Sequence, residues 1–230
     1  MKILITGTTQ GIGNAIAKKF LSEGHEVIGF DIKPCLIKNK NFIFHKVDVS
    51  DKSQFPCLEH IDILINNAGV SNEEDAMRVN LFGYINIAEK YAFSKSIKSV
   101  LNINSVSTHM GIELPLYCAS QGGRHAYTKN LTLRLGKNGV TVNSISCGGI
   151  LTDWNKDIID SPGIYKQVTD ETLLKKWATA DEVADLAYFL TVTNKSITGQ
   201  DIVLDNGEMA NYNYINDQRT LNEFYKSTFK

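Results

Sequence analysis

Apolar residues in this chain fall into short runs separated by longer amphipathic stretches. Residues 2–6 (Lys-Ile-Leu-Ile-Thr) predict a buried strand, and residues 27–30 a second, with Asp31 at its end. Further strands are predicted at 42–44, 61–65, 99–104, 140–145 and 201–205. Helical spacing starts near Asn14 and recurs over about 75–93, where Val79, Phe82, Ile85, Ile87, Ala88 and Tyr91 share a face. It recurs again over about 116–136, and in the segment that Thr179 or Asp181 starts, which carries Val183, Ala184, Leu186, Ala187, Phe189 and Leu190. Residues 50–59 leave room for only a short helix. Residues 146–170 read as a long loop with at most short helices, the best lid candidate, and Asp170 or Thr172 as the start of another short helix. Seven strands alternating with helices predict an α/β fold, a parallel sheet covered on both faces.

Ligands in such sheets bind beyond the carboxyl ends of the strands. Thr6, Asp31, Asp48, Asn66, Ser105 and Ser146 all fall at or just past those ends, so one crevice could gather them. The first of these ends is the most informative. Gly7-Thr8-Thr9-Gln10-Gly11-Ile12-Gly13 follows the first strand and opens a helix, a G-x-x-x-G-x-G spacing rather than G-x-G-x-x-G. Gly7 permits a tight turn. Gly11 and Gly13 let backbone approach a pyrophosphate and let the helix sit close to the sheet. Unpaired N–H groups at the helix start would face the phosphates. Asp31 would accept hydrogen bonds from the adenosine ribose and repel a 2′-phosphate, which favours NAD(H) over NADP(H); Lys33 softens that preference.

At 230 residues with 43% hydrophobic content, one α/β domain is the simplest fit. A net charge of −1 gives no reason to expect nucleic acid or an anionic membrane as partner. No apolar run reaches membrane-spanning length. Cys35, Cys57, Cys118 and Cys147 are widely spaced, without C-x-x-C pairs, which fits reduced thiols in the cytoplasm. A core strand at residue 2 argues against a cleaved leader. No histidine pair has metal-site spacing, and no metal is expected; His109, in the loop after Ser105, could touch substrate.

Thr6-Gly7-Thr8-Thr9-Gln10-Gly11-Ile12-Gly13, Asn66-Asn67-Ala68-Gly69, Asn80, Ser105, Tyr117 and Ile197-Thr198-Gly199-Gln200 together resemble the short-chain dehydrogenase/reductase family over about residues 2–208. The resemblance implies a single Rossmann-type three-layer domain with seven parallel strands, a nicotinamide cofactor, and hydride exchange between small carbonyl and alcohol substrates. It also implies a homodimer or homotetramer. By the same likeness, Asn67, Ala68 and Gly69 flank the cofactor, Asp48 and Val49 lie by the adenine, and Gly148, Ile150 and Thr152 approach the nicotinamide end. Asn80 holds a helix bulge and a water. Residues 209–230 form a C-terminal extension in which Leu221, Phe224, Tyr225 and Phe229 make one apolar stripe, packed on the domain or on a partner subunit.

Hydride transfer to a carbonyl builds negative charge on its oxygen, which needs a proton donor and a second hydrogen bond. Tyr117 is the expected acid/base and Ser105 the polarising group. The family's Tyr-x-x-x-Lys is broken, because the stretch reads Tyr117-Cys118-Ala119-Ser120-Gln121. Gln121, one turn on, can bind the nicotinamide ribose but carries no charge. Three outcomes stay open. Arg124, two turns along the same face, replaces the lysine or merely packs the helix. Alternatively, reduction survives slowly with neutral tyrosine. Finally, the chain binds nucleotide without turnover, as a regulatory protein. Cys147-Gly148 stands where the family often has Pro-Gly, and Cys147 is expected to be an inert apolar residue. Trp154, Tyr165, Leu114 and Leu116 are candidate wall residues.

Overall fold

The computed structural model describes residues 1–112 and 114–211. The predicted apolar stripe of the 209–230 extension therefore lies outside the described residues. Strands β1 (Lys2–Thr6), β2 (Glu26–Asp31), β3 (Phe42–Lys46), β4 (Ile63–Asn66), β5 (Ser99–Ser105) and β6 (Thr141–Cys147) form the main sheet with the last strand, β9 (Asp201–Leu204). All pairings are parallel and the order is β3-β2-β1-β4-β5-β6-β9. Reversal of direction at β1/β4 opens a crevice above the carboxyl ends, where such sheets bind ligands.

Strand alternation divides the core. Ile3, Ile5, Ile63, Ile65, Leu101 and Ile103 face α1 (Gly11–Ser22) and α8 (Ala180–Tyr188). Leu4, Ile28, Leu64, Val100 and Val142 face the other layer, with Ile87 and Tyr91 of α3 (Tyr84–Tyr91) and Leu131 and Leu135 of α5 (Pro115–Leu135). Residues so buried on both faces make the near-continuous apolar runs seen in the sequence.

Several elements differ from the periodicity reading. Helix α1 begins at Gly11, three residues before Asn14, because the glycine turn is itself the first helical turn. The run predicted over 75–93 is α2 (Glu73–Asp75), a π-helical stretch (Ala76–Gly83) and α3 in succession. Residues 106–116 contain a short helix, α4 (Ser107–Met110). The predicted long loop holds β7 (Ile150–Leu151), α6 (Lys156–Ile159) and the nine-residue α7 (Pro162–Asp170). No helix starts at Asp170 or Thr172. Asp170 ends α7, and the buried Thr172 hydroxyl closes a turn, donating to the Thr169 carbonyl and accepting from the Lys176 N–H. The chain then forms β8 (Ala178–Thr179), paired with β7. Thr179 caps α8 in a full capping box with Glu182.

At the far, amino end of the sheet, Asp62 ties three segments. Its carboxylate lies 2.7 Å from Lys98 Nζ and 3.2 Å from His60 Nε2, and accepts the Lys2 N–H at 2.8 Å. Burial alone would raise its pKa, but these partners outweigh it and hold the group at about 2. A depressed carboxylate stabilises the fold above its unfolded value near 3.8, and that contribution disappears as pH falls towards 2. Asp62→Asn is expected to lose about 2 kcal/mol at pH 7 and to converge on the parent near pH 2 in urea titrations.

Candidate active site

The glycine turn is shaped by what lies behind it. Gly7 has φ +77°, and a Cβ there would lie 2.7 Å from Asn67 Nδ2. A Cβ on Gly13 would lie 2.0 Å from the Gly7 carbonyl oxygen, so α1 can meet β1 only without a side chain at that position. Asn67 fastens the arrangement: its Nδ2 donates to the carbonyls of Thr6 (3.0 Å) and Gly7 (3.2 Å). In return the Thr6 hydroxyl accepts the N–H groups of Asn67 and Ala68, each at 3.0 Å. The start of α1 has no side-chain cap and no acid in its first turn, in contrast to α8. Its unpaired N–H groups and the helix dipole suit an anionic group.

A cavity of about 480 Å³ runs over this helix start. At one end it is lined by Asp31, Lys33, Asp48, Val49 and Arg78, and at the other by Ser105, Tyr117, Gln121, Arg124, Cys147 and Trp154. Gly7, Thr9, Gln10, Gly11, Ile12, Asn67, Ala68, Gly69, Gly148, Ile150 and Thr152 line the stretch between. Of the catalytic and cofactor-binding residues expected from sequence, Asn80 and Gly13 are off the cavity wall; of the strand-end residues, Asp31, Asp48 and Ser105 line it, whereas Thr6, Asn66 and Ser146 are buried beneath it. Gly13 sits behind Gly7. Asn80 is fully buried in the π-helical stretch, where its Oδ1 accepts from Val70 N (2.8 Å) and its Nδ2 donates to Val70 O (2.9 Å) and to Ser120 Oγ (3.3 Å). It therefore supports the cavity wall rather than touching its contents.

The Asp31 carboxylate accepts the Thr9 N–H (2.9 Å) and the Lys33 N–H (3.0 Å), so it is held at the cavity end with lone pairs to spare. Arg78, unforeseen from the sequence, lies 3.6 Å from Asp48 and brings a guanidinium to the same end. Glu73 was equally hidden. Its carboxylate accepts the N–H groups of Leu116 (2.9 Å) and Tyr117 (3.2 Å), and so caps the helix that carries Tyr117.

At the chemical end, Ser105 Oγ is oriented by the Ser107 N–H (3.1 Å) and hydroxyl (2.9 Å). Gln121 is buried, and its Oε1 has no hydrogen-bond partner among the described residues. Arg124 is only 2% exposed. Its guanidinium stacks over the Tyr84 ring at 4.8 Å, and Nη2 donates to the Asn66 carbonyl at 3.3 Å. Nε is buried without a partner, and among the described residues no carboxylate pairs with it. Burial pulls its pKa below the usual guanidinium value, while the charges of Tyr84 and Tyr117 push the other way. A guanidinium nonetheless stays charged near neutrality. Burial pushes the Cys147 thiol up to about 12, so it is a neutral thiol and no nucleophile.

Other expected wall residues fall elsewhere. Leu114, just before α5, and Leu116, in its first turn, are about half exposed and off the cavity. Tyr165 packs edge-on against Trp177, 5.6 Å away, beneath Gly149. His109 turns from the cavity to Asp201, 2.7 Å away.

The residues present fit a dinucleotide. The uncapped helix start answers a pyrophosphate, the Asp31 carboxylate a ribose diol, and the orphaned Gln121 Oε1 a second hydroxyl donor. Among the described residues no helix is long and apolar enough to cross a membrane.

Comparison with known proteins agrees with this geometry. The family model described as enoyl-(acyl carrier protein) reductase matches residues 7–208. The chain is 30% identical to the 3-oxoacyl-(acyl-carrier-protein) reductase FabG of Buchnera aphidicola subsp. Schizaphis graminum, over 89% of this chain and 95% of that relative. Among solved structures it resembles a 4-hydroxyisoleucine dehydrogenase complexed with NADH, at 27% identity and TM-score 0.80 over 91% of this chain and 98% of the other. It also resembles an Agrobacterium tumefaciens protein assigned provisionally as a 2-deoxy-D-gluconate 3-dehydrogenase, with bound NADP, at 25% identity and TM-score 0.81 over 91% and 96%. A parallel seven-stranded sheet, an uncapped helix over the crevice and a match spanning most of the chain place this protein in the short-chain dehydrogenase/reductase family of oxidoreductases.

Proposed function

We propose that this oxidoreductase exchanges a hydride between NAD(H) and a small carbonyl or secondary alcohol, with Tyr117 as acid/base. The observation that carries the reading is the wall shared by Ser105, Tyr117, Gln121 and Arg124 at one end of a cavity whose other end is Asp31. When bound, the dinucleotide supplies the hydride donor or acceptor. It would be held by the α1 start, Asp31 and Gln121, with Asn67, Ala68, Gly69, Ile150 and Thr152 along its sides. Ser105 donates a hydrogen bond to the substrate oxygen, and Tyr117 delivers or removes the proton there. Glu73 and Asn80 are positioning residues, acting on the start of α5 and on the cavity wall.

The missing lysine shapes the rest of the mechanism. Gln121 takes over binding and Arg124 takes over charge. A buried cation without a carboxylate partner is costly by itself, and an anion forming nearby relieves that cost. Tyrosinate is such an anion, so Arg124 favours the ionised phenol that alcohol oxidation needs. Gln121→Lys is expected to shift the pH profile of oxidation to lower pH, because a second cation further favours tyrosinate; rates measured from pH 6 to 10 check it. An unchanged rate and profile would sink the role assigned to position 121.

Calorimetric titration with NADH and NADPH tests the whole reading. Tighter binding of NADH is expected, because the fixed Asp31 carboxylate repels a 2′-phosphate. A clear NADPH preference, with Lys33 and Arg78 as its receptors, would overturn the role of Asp31. Binding without turnover over a broad carbonyl panel would favour a regulatory nucleotide-binding protein, and no binding would end both readings. A homodimer or homotetramer in a reducing, cytoplasmic setting is part of the proposal; among the described residues none of the four cysteines is in a disulfide.

A further inference from the structure

His109, His125 and Asp201 are far apart in sequence, and the fold brings them together. They come from α4, α5 and the first residue of β9, the strand at the edge of the sheet. One ring nitrogen of each histidine and one carboxylate oxygen of Asp201 lie within 4.8 Å of one another. His109 Nε2 lies 2.7 Å from Asp201 Oδ2. The two imidazoles meet at 5.5 Å between centroids, nearly edge-on.

A histidine–aspartate pair alone would be an ordinary surface ion pair. Two further observations set this one apart. His125 Nδ1 is buried and has no hydrogen-bond partner among the described residues, which is unusual for a buried ring nitrogen. The Asp201 carboxylate is nearly buried and is oriented from behind by the Ser144 hydroxyl, which donates to Oδ1. Ligating carboxylates are held by such outer partners.

We propose that His109, His125 and Asp201 form a divalent transition-metal site of the zinc type. Two imidazoles and a carboxylate, with water in the fourth position, make a common zinc donor set. Tetrahedral bonds of about 2.0–2.2 Å set ligand atoms roughly 3.4 Å apart, so small side-chain rotations must part the His109–Asp201 pair slightly and bring the wider separations in. None of the three lines the cavity, so the ion takes no part in hydride transfer. Its place in the chain gives it a structural task. His109 lies four residues after Ser105 and His125 eight after Tyr117, so the ion would pin both arms of the 106–116 connection to the sheet edge. It would thereby fix the spacing of the two groups assigned to the substrate oxygen, whatever that substrate is.

The test uses the full chain, stripped of metal by chelator and dialysis. Calorimetric titration with ZnCl2 is expected to give one equivalent of binding. A zinc concentration of 100 times Kd should raise the melting temperature by about 5–10 °C. Cobalt(II) in place of zinc should give visible ligand-field bands without a thiolate charge-transfer band, since no cysteine belongs to the set. His109→Ala, at a partly exposed position, and Asp201→Asn should each weaken zinc binding at least 100-fold and abolish the thermal shift. His125→Gln replaces a ligand without emptying the site, and covers the case in which either of those variants fails to fold. The proposal is overturned if the parent shows no zinc-dependent thermal shift. It is also overturned if folded His109→Ala or His125→Gln binds zinc as the parent does, or if a thiolate band places the ion on cysteine. Zinc binding is read without nucleotide or substrate, so its failure leaves the hydride-transfer reading standing, and the reverse holds too.

Discussion

Replacing Arg124 with methionine is expected to cut turnover by about two orders of magnitude while leaving the fold nearly as stable as before. The two halves of this result share one cause. A unit charge acting over about 4–8 Å at an effective dielectric of 20 contributes roughly 2–4 kcal/mol, which spans about 30- to 1,000-fold in rate. If Arg124 supplies the charge that the family's lysine would supply, its loss should fall mainly on alcohol oxidation, whose pH profile should move to higher pH. Reduction, which starts from neutral phenol, should suffer less. Stability follows the opposite logic. Removing one member of a buried ion pair strands the other charge, but Arg124 has no carboxylate partner among the described residues to strand. Methionine forfeits the bond to the Asn66 carbonyl and the stacking on Tyr84, and gains relief from a desolvated charge. A change within about 1 kcal/mol is expected in urea titration. Large destabilisation with an unaltered pH profile would make Arg124 a packing residue and leave Tyr117 without its proposed counter-charge.

Gly13→Ala should have the opposite signature, harming fold and binding together. The added methyl would sit 2.0 Å from the Gly7 carbonyl oxygen and 2.5 Å from Asn67 Nδ2. Neither neighbour is a flexible chain end. One is backbone, and the other is the amide that stitches β1 to the segment after β4. The helix must therefore back away from the sheet, at about 3 kcal/mol for overpacking of this kind. For a domain of this size that corresponds to a melting temperature lower by about 6–12 °C. The uncapped N–H groups move with the helix, so NADH binding should become undetectable in calorimetry. Gly136→Ala is the matched control, since a Cβ there meets nothing within 4 Å and its φ is an ordinary −59°. It should be neutral or slightly stabilising. If Gly13→Ala melts with the parent and binds NADH normally, the close approach of helix and turn is not what shapes the nucleotide end.

Most of the sheet was legible because a strand covered on both faces has little choice but to be apolar throughout. The acid at the end of β2 was legible for a similar reason: it depends on counting from a strand, not on knowing its neighbours. Helix α7 was not. It starts at a proline, is short, and buries only Thr169, so it offers little periodicity to detect. Glu73 could not be assigned because its partners, the N–H groups of Leu116 and Tyr117, lie more than forty residues away. The histidines read as uninformative for the same reason, since spacing along the chain says nothing about a ligand set drawn from three elements.

Local chemistry thus determined the strands, the glycine turn, Asp31 and the departure at Gln121, because each is a property of adjacent residues and their backbone. Tertiary structure alone decided what surrounds them. It buried Arg124 with no acid paired to it among the described residues, put Asn80 behind the cavity wall rather than in it, and gathered His109, His125 and Asp201 at the sheet edge. Whether a charge is solvated or stranded, and whether an amide meets ligand or backbone, depends on segments that meet only when the sheet has closed.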